Sequence, residues 1–153
     1  MSTRLERVSA LVGRIVISVF FVYYGVNNLI DFGAMTGYAA YKGVPIPSIA
    51  VIVGAILLLI GGVSLLIGYR PVIGIAALVV FLLPVTMMMH NFWSVTDPQM
   101  RVIEQGLWMR NMALAGATLF MLAIPRPWLW SVDELLAQTT TRNPTTDKNL
   151  ANV

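Results

Sequence analysis

Four runs of mostly uncharged residues, Leu11–Ile30, Ser48–Gly68, Pro71–Met89 and Leu107–Ile124, fill most of the first 124 positions of this chain. A helix rises ~1.5 Å per residue, so about 20 residues cross the ~30 Å hydrocarbon core of a bilayer. Each run is long enough to cross. The expected fold is therefore all-α: an integral membrane four-helix bundle with short loops and a C-terminal interfacial helix. In lipid, every backbone polar group must be satisfied within its own helix. Function then falls to the few polar side chains that interrupt the runs, and to the loops.

Composition narrows the choice further. Charged residues make up 11% of the chain and hydrophobic ones 58%, whereas soluble domains carry roughly 25% charge. An ordinary cytosolic domain is excluded, and 153 residues leave room for one four-helix domain over 1–124 and a tail over 125–153. The net charge of +3 does not imply nucleic acid, because the basic residues are scattered and form no stripe with interleaved aromatics. Cysteine is absent, which removes thiolate, iron–sulfur and c-type haem chemistry. Arg4 and Arg7 precede the first run as in a signal peptide. That run is longer than a secretory apolar core and has no small-residue cleavage site directly after it, so an uncleaved span is expected.

Four crossings place the termini and the Gly68–Pro71 turn on one side, with the 31–47 and 90–106 loops on the other. The first side collects Arg4, Arg7, Arg14, Arg70, Arg126, Arg142 and Lys148; the second has Lys42, Arg101 and Arg110. The bias predicts cytoplasmic termini. Local signals mark the helix ends: Ser48 after Pro45 and Pro47, Pro71 in the first turn of the third span, and Asp97-Pro98 as cap and first residue of a helix running into the fourth. On that helix Arg101 and Glu104 are spaced i,i+3 on one face and able to pair, while Pro84 is expected to bend the third span. Gly54, Gly61 and Gly68 recur every seven residues on the second span, a small-residue face suited to helix packing. After Ile124, Trp128 and Trp130 follow the basic Arg126 as interfacial anchors, and Val132, Leu135 and Leu136 share one face of a short helix lying on the cytoplasmic leaflet. Beyond about Thr139 disorder is expected.

The polar interruptions gather near the outer ends of the spans. Asn28 and Asp31 close the first, His90 and Trp93 the third, and Arg110-Asn111 enter the fourth. Ionisable groups at membrane depth are costly and normally find partners inside the bundle. Arg110 has three outcomes open to it: snorkelling to headgroups, pairing with Asp31 or Glu104, or contacting a ligand. His90 is the only histidine and the single candidate for proton exchange; no catalytic residue is otherwise assigned. Met87-Met88-Met89 resembles a soft-metal motif, but successive residues turn by ~100° and three consecutive thioethers cannot converge on one ion. No metal site is expected. No paired carboxylates, nucleophile–base arrangement or phosphate-cradling loop is present either.

From Gly25 to about Ala123 the order of features resembles the DoxX family of small bacterial four-helix membrane proteins. The features are Gly25 and Asn28, Tyr38-Ala39-Ala40-Tyr41-Lys42-Gly43-Val44-Pro45-Ile46-Pro47, Gly61-Gly62, Gly68-Tyr69-Arg70, His90-Asn91-Phe92-Trp93 and Arg110-Asn111. The resemblance implies an accessory subunit of a membrane redox or respiratory assembly; named relatives serve a terminal quinol oxidase or a thiosulfate:quinone oxidoreductase. Two departures stand out. Many relatives carry a basic residue where Asn28 stands, and an acidic one within the second span, where this chain has the apolar stretch Ala55-Ile56-Leu57-Leu58-Leu59. The expected function is an outward-facing site, with Asn28, Asp31, His90, Trp93, Arg110 and Asn111 as its residues, for a quinone, a lipid or a partner. The alternatives are a quinone-reducing subunit and, behind it, a small transporter. No intrinsic cofactor is implied beyond a bound quinone or lipid. The expected partners are membrane lipid, other membrane or periplasmic subunits and a second copy of the chain.

Overall fold

The computed structural model describes residues 4–142, and among these all regular structure is helical. Six α-helices follow in order: α1 Arg4–Ile30, α2 Phe32–Tyr41, α3 Pro47–Ile67, α4 Pro71–Met89, α5 Pro98–Phe120 and α6 Val132–Arg142. Short 3₁₀ turns cover Phe92–Ser94 and Met121–Ala123. Three helices, α1, α3 and α4 with its extension to Ser94, are long and apolar enough to cross a membrane. Helix α5 has the length, 23 residues, but its stretch Pro98–Arg110 carries Arg101, Glu104 and Arg110.

The side chains are arranged for a non-aqueous solvent. Ser18, Thr86 and Thr118 are fully buried, whereas Val16, Ile60 and Val80 are 63%, 47% and 59% exposed. Polar groups inside and aliphatic groups outside is the reverse of a soluble bundle, and it is stable where lipid solvates the aliphatic surface. Two of these hydroxyls cost little, because the Ser18 and Thr86 Oγ atoms donate to the carbonyls of Arg14 and Leu82, one helical turn back. This is a membrane protein.

Packing runs in series: α1 lies on α3, α3 on α4, and α4 on α5, with α2 laid across α3. Helices α1 and α5 share no comparable seam. Glycines set the close approaches. A Cβ on Gly61 would meet the Leu78 side chain and come within 3.0 Å of the Gly74 carbonyl, and one on Gly54 would come within 2.9 Å of the Phe81 ring. Both positions therefore seat α4. The neighbouring Gly62 seats α1, where a Cβ would stand 3.0 Å from the Val22 nitrogen. Phe21, Leu58, Leu65, Leu78, Leu82 and Ala115 fill the resulting core.

Several details differ from expectation. The 31–47 segment is not a loop, since α2 occupies most of it. Gly68 does not continue the packing face of α3; it is the left-handed C-cap of that helix at φ +67°, the region that favours glycine. Ser48 lies inside α3, which begins at Pro47 with Ile46 as its cap. The fourth run stops short, because α5 ends at Phe120 and a 3₁₀ turn carries the chain to Ala123. Asp97 caps α5 as expected, accepting the Met100 N–H at 2.7 Å.

Helix α6 folds back onto the opposite end of the bundle. Asp133 accepts the Arg70 N–H at 3.1 Å and donates its own N–H to the Gly68 carbonyl. The Ser131 hydroxyl accepts the Glu134 N–H at 3.1 Å, a capping contact that starts the helix. Leu135 and Leu136 are exposed. The segment beyond 142, including most of the tail expected to be disordered, lies outside the described residues.

Candidate functional site

At the end of the bundle where α1 and α4 finish and α5 begins, three ionisable side chains from distant parts of the chain meet. The Lys42 ammonium donates to Glu104 Oε1, and His90 Nδ1 stands 2.8 Å from Glu104 Oε2. The side chains of Lys42 and Glu104 are only 11% and 7% exposed, so this carboxylate is shared away from bulk water. Each partner is held by its own helix terminus. Lys42 caps α2, with its N–H on the Tyr38 carbonyl; His90 caps α4, with its N–H on Thr86; Glu104 sits in the second turn of α5. The Lys42 ammonium also lies 5.6 Å from the centre of the Tyr38 ring.

Charge complementarity fixes the protonation pattern. Burial alone would push the Glu104 carboxyl up, but hydrogen bonds from Lys42 and His90 and the Lys42 charge outweigh it and hold the group below the usual carboxylate range. Burial alone would likewise lower the Lys42 ammonium; the bond to Glu104 and the neighbouring Tyr38 outweigh that and raise it above its ordinary value. An ionised Glu104 only accepts, so Nδ1 of His90 carries the proton that it donates there. In the neutral ring Nε2 is then the lone pair available to a further group.

His90 also lines a cavity of about 200 Å³ that runs from this end into the core. Its walls are apolar, with Phe20, Phe21, Leu58, Phe81 and Leu82 among them, and its polar groups are Asn28, Tyr38, His90, Arg110 and Asn111. Asn111 is buried, and the Arg110 guanidinium reaches its Oδ1 from Nε and Nη2 at 3.4 Å each. Four of the six residues singled out in the sequence, Asn28, His90, Arg110 and Asn111, thus converge on one space.

Asp31 and Trp93 do not line it. Asp31 is exposed before α2 and makes no side-chain cap, because its backbone is not extended as a capping residue requires. Trp93 is 54% exposed and packs edge-on against Phe92. Neither predicted partner of Glu104 is found beside it: Arg101 is exposed, and Arg110 turns to Asn111. Lys42 and Glu104 themselves were absent from the expected site. A sequence signal for them exists, since Lys42 is one of two lysines and Glu104 is the only acidic residue between Asp97 and Asp133. Of the three consecutive methionines, Met87 and Met88 are exposed and Met89 lines the cavity, as divergent helical positions require.

The DoxX family profile matches residues 9–91, from the first half of α1 through His90 and Asn91. Arg110 and Asn111 lie beyond the matched region, which is shorter at that end than the resemblance read from Gly25 to Ala123. The inner membrane protein YphA of Escherichia coli (strain K12) is 28% identical over 126 residues, which cover 80% of this chain and 86% of that protein. No solved structure matches the chain.

Proposed function

This chain belongs to the DoxX family of membrane proteins, and on that premise we propose that it is an accessory subunit of a bacterial inner-membrane redox assembly whose cavity receives a quinone headgroup. In this reading α5 from about Leu107 onward is the fourth crossing, the termini are cytoplasmic, and residues 1–124 are one membrane domain. The Lys42–Glu104–His90 cluster then faces the periplasmic leaflet. The positive charge on the termini side supports that orientation, and the name of the similar E. coli protein supports the membrane.

The observation that carries the proposal is the cavity. An apolar cavity of about 150 Å³ accommodates a benzene ring, so about 200 Å³ suits one substituted ring and leaves a polyprenyl tail to exit sideways. The unsealed side between α1 and α5 offers that exit into lipid. Groups of the right kind stand at the polar end: the Arg110 guanidinium and the Asn111 and Asn28 amides suit the two carbonyl oxygens of a quinone as donors, and His90 Nε2 suits a quinol hydroxyl as acceptor. The two departures from the family pattern fall here as well, since Asn28 and Leu58 both line the cavity. Where relatives carry charge this chain presents an amide and an aliphatic wall, which favours a neutral ligand. A quinone supplies reversible two-electron, two-proton chemistry. Within the protein, Glu104 orients the His90 ring, and His90 exchanges a proton through Nε2. Asp31 and Trp93, exposed at the same end, are assigned to a partner subunit.

The quinone-reducing subunit remains the second reading, favoured by one observation: a histidine lining the cavity and backed by a carboxylate is the usual arrangement for proton transfer. Electrons would then come from a donor outside this chain. Purification from native membrane, with quinone extraction and identification of co-purifying proteins, tests both. His90→Gln and Asn111→Ala are each expected to lower retained quinone about tenfold, a lost hydrogen bond of ~1.5 kcal/mol. Quinone absent from wild type, or retained equally by both variants, overturns the site. Reduction of a quinone analogue by the purified chain with a sulfur donor selects the enzymatic reading.

A further inference from the structure

The opposite end of the bundle holds a second and larger cavity, of about 480 Å³, between the start of α1 and the turn that follows α5. Arg14 lies in its wall and is 4% exposed. Its guanidinium donates from Nη1 to the Leu129 carbonyl at 3.2 Å and from Nη2 to the Trp130 carbonyl at 3.0 Å. Its Nε is buried with no acceptor. A buried guanidinium N–H without an acceptor is an exception that calls for a ligand or water. Among the described residues no carboxylate is hydrogen-bonded to this charge; Glu134 instead accepts the Trp130 N–H at 2.7 Å. Among the described residues, three arginines, Arg7, Arg14 and Arg126, and two glutamates, Glu6 and Glu134, line the space, a formal excess of positive charge.

The rest of the lining is apolar. Leu11, Phe120, Met121 and Trp128 contribute to it, and Phe120 is 75% exposed at its edge. A positive, partly dehydrated recess bordered by exposed apolar side chains matches a molecule with an anionic head and an aliphatic tail. Water-soluble anions have no use for the second half of that surface. We propose that this cavity binds the phosphate of an anionic phospholipid from the adjoining leaflet, with Arg14 at its base, Arg126 at its exposed rim and one acyl chain against Phe120 in the open side between α1 and α5. The proposal is independent of quinone binding at the other end.

The test uses the full chain, delipidated in detergent and titrated with phosphatidylglycerol, phosphatidylcholine or inorganic phosphate, with bound molecules counted by native mass spectrometry. Phosphatidylglycerol is expected to bind saturably, one per chain, and phosphatidylcholine not to. Millimolar phosphate is expected to leave the lipid in place. Arg126→Gln is expected to weaken phosphatidylglycerol about fivefold, as one basic residue near anionic lipid does, and Arg14→Gln about tenfold. Arg101→Gln, exposed at the other end of the bundle, is expected to leave phosphatidylglycerol binding unchanged. Equal retention of both lipids overturns the site, and displacement by phosphate overturns the lipid in favour of a soluble anion. If Arg14→Gln does not fold, unchanged affinity in Arg126→Gln overturns the proposal by itself.

Discussion

The two ends of the bundle bury positive charge by different means. At one end the Lys42 ammonium is matched by a carboxylate, and Glu104 in turn is shared with His90, so the network closes on itself. At the other end the Arg14 guanidinium rests on two backbone carbonyls, which lend partial charge only and leave one N–H without an acceptor. A closed network specifies geometry: it ties α2, α4 and α5 together and aims one histidine into a cavity. An open one keeps its field, and a net positive recess persists beside it. The same element of cost, a cation removed from water, serves positioning in the first case and attraction in the second.

Removing Glu104 breaks the contrast most severely. Glu104→Ala leaves Lys42 and His90 buried without a counter-charge, a loss of about 3 kcal/mol. The melting temperature in detergent is expected to fall well below that of any exposed-residue control. Pairing the change with Lys42→Met recovers part of the loss, because the orphaned ammonium goes with it, and a double-mutant cycle reports the coupling. Additive effects would show that the two groups do not stabilise each other.

That pairing marks the limit of what the sequence reveals. The apolar runs announce α1, α3 and α4, because lipid as solvent requires long uncharged helices and little else does. Helix α2 escapes notice, since Phe32–Tyr41 is too short to span and shows no marked amphipathic periodicity. Asn28, His90 and Arg110-Asn111 stand out as polar residues at the ends of apolar stretches. Lys42 and Glu104 are 62 positions apart, and sequence spacing exposes only partners within a helical turn or two. Arg101 was the local candidate for Glu104, and tertiary packing chose another. Arg14 was hidden for a different reason: a lone arginine in a first span reads as a topology signal, and only the return of the C-terminal turn over α1 shows carbonyls waiting for it.

At the other end the corresponding break is smaller. Arg14→Met keeps the volume and stem of the side chain but withdraws donors from Leu129 and Trp130, costing about 2 kcal/mol. Both carbonyls lie near the surface, where water can replace the lost donor. Amide exchange is expected to rise from Trp128 to Glu134 while α2 and the start of α5 remain protected. Exchange spreading equally to both ends would show that the bundle does not separate its two charge networks.

Acid sharpens the comparison with the smallest perturbation. Glu104 is held below its ordinary value of 4.5, so its contribution is complete above that pH and declines as pH falls through the lower native value. Lys42 is raised above 10.5, so its contribution is complete below that pH and declines only as pH rises through the higher native value. Between these limits the ion pair adds a constant term to stability. A guanidinium keeps its charge throughout the range, so Arg14 itself adds no slope. Stability measured by thermal melting is therefore expected to drop below about pH 4.5 with loosening confined to α2 and the α4–α5 junction, and Glu104→Gln is expected to flatten that acid limb. A Glu104→Gln profile that falls as steeply as wild type would place the acid sensitivity outside the Lys42–Glu104–His90 cluster.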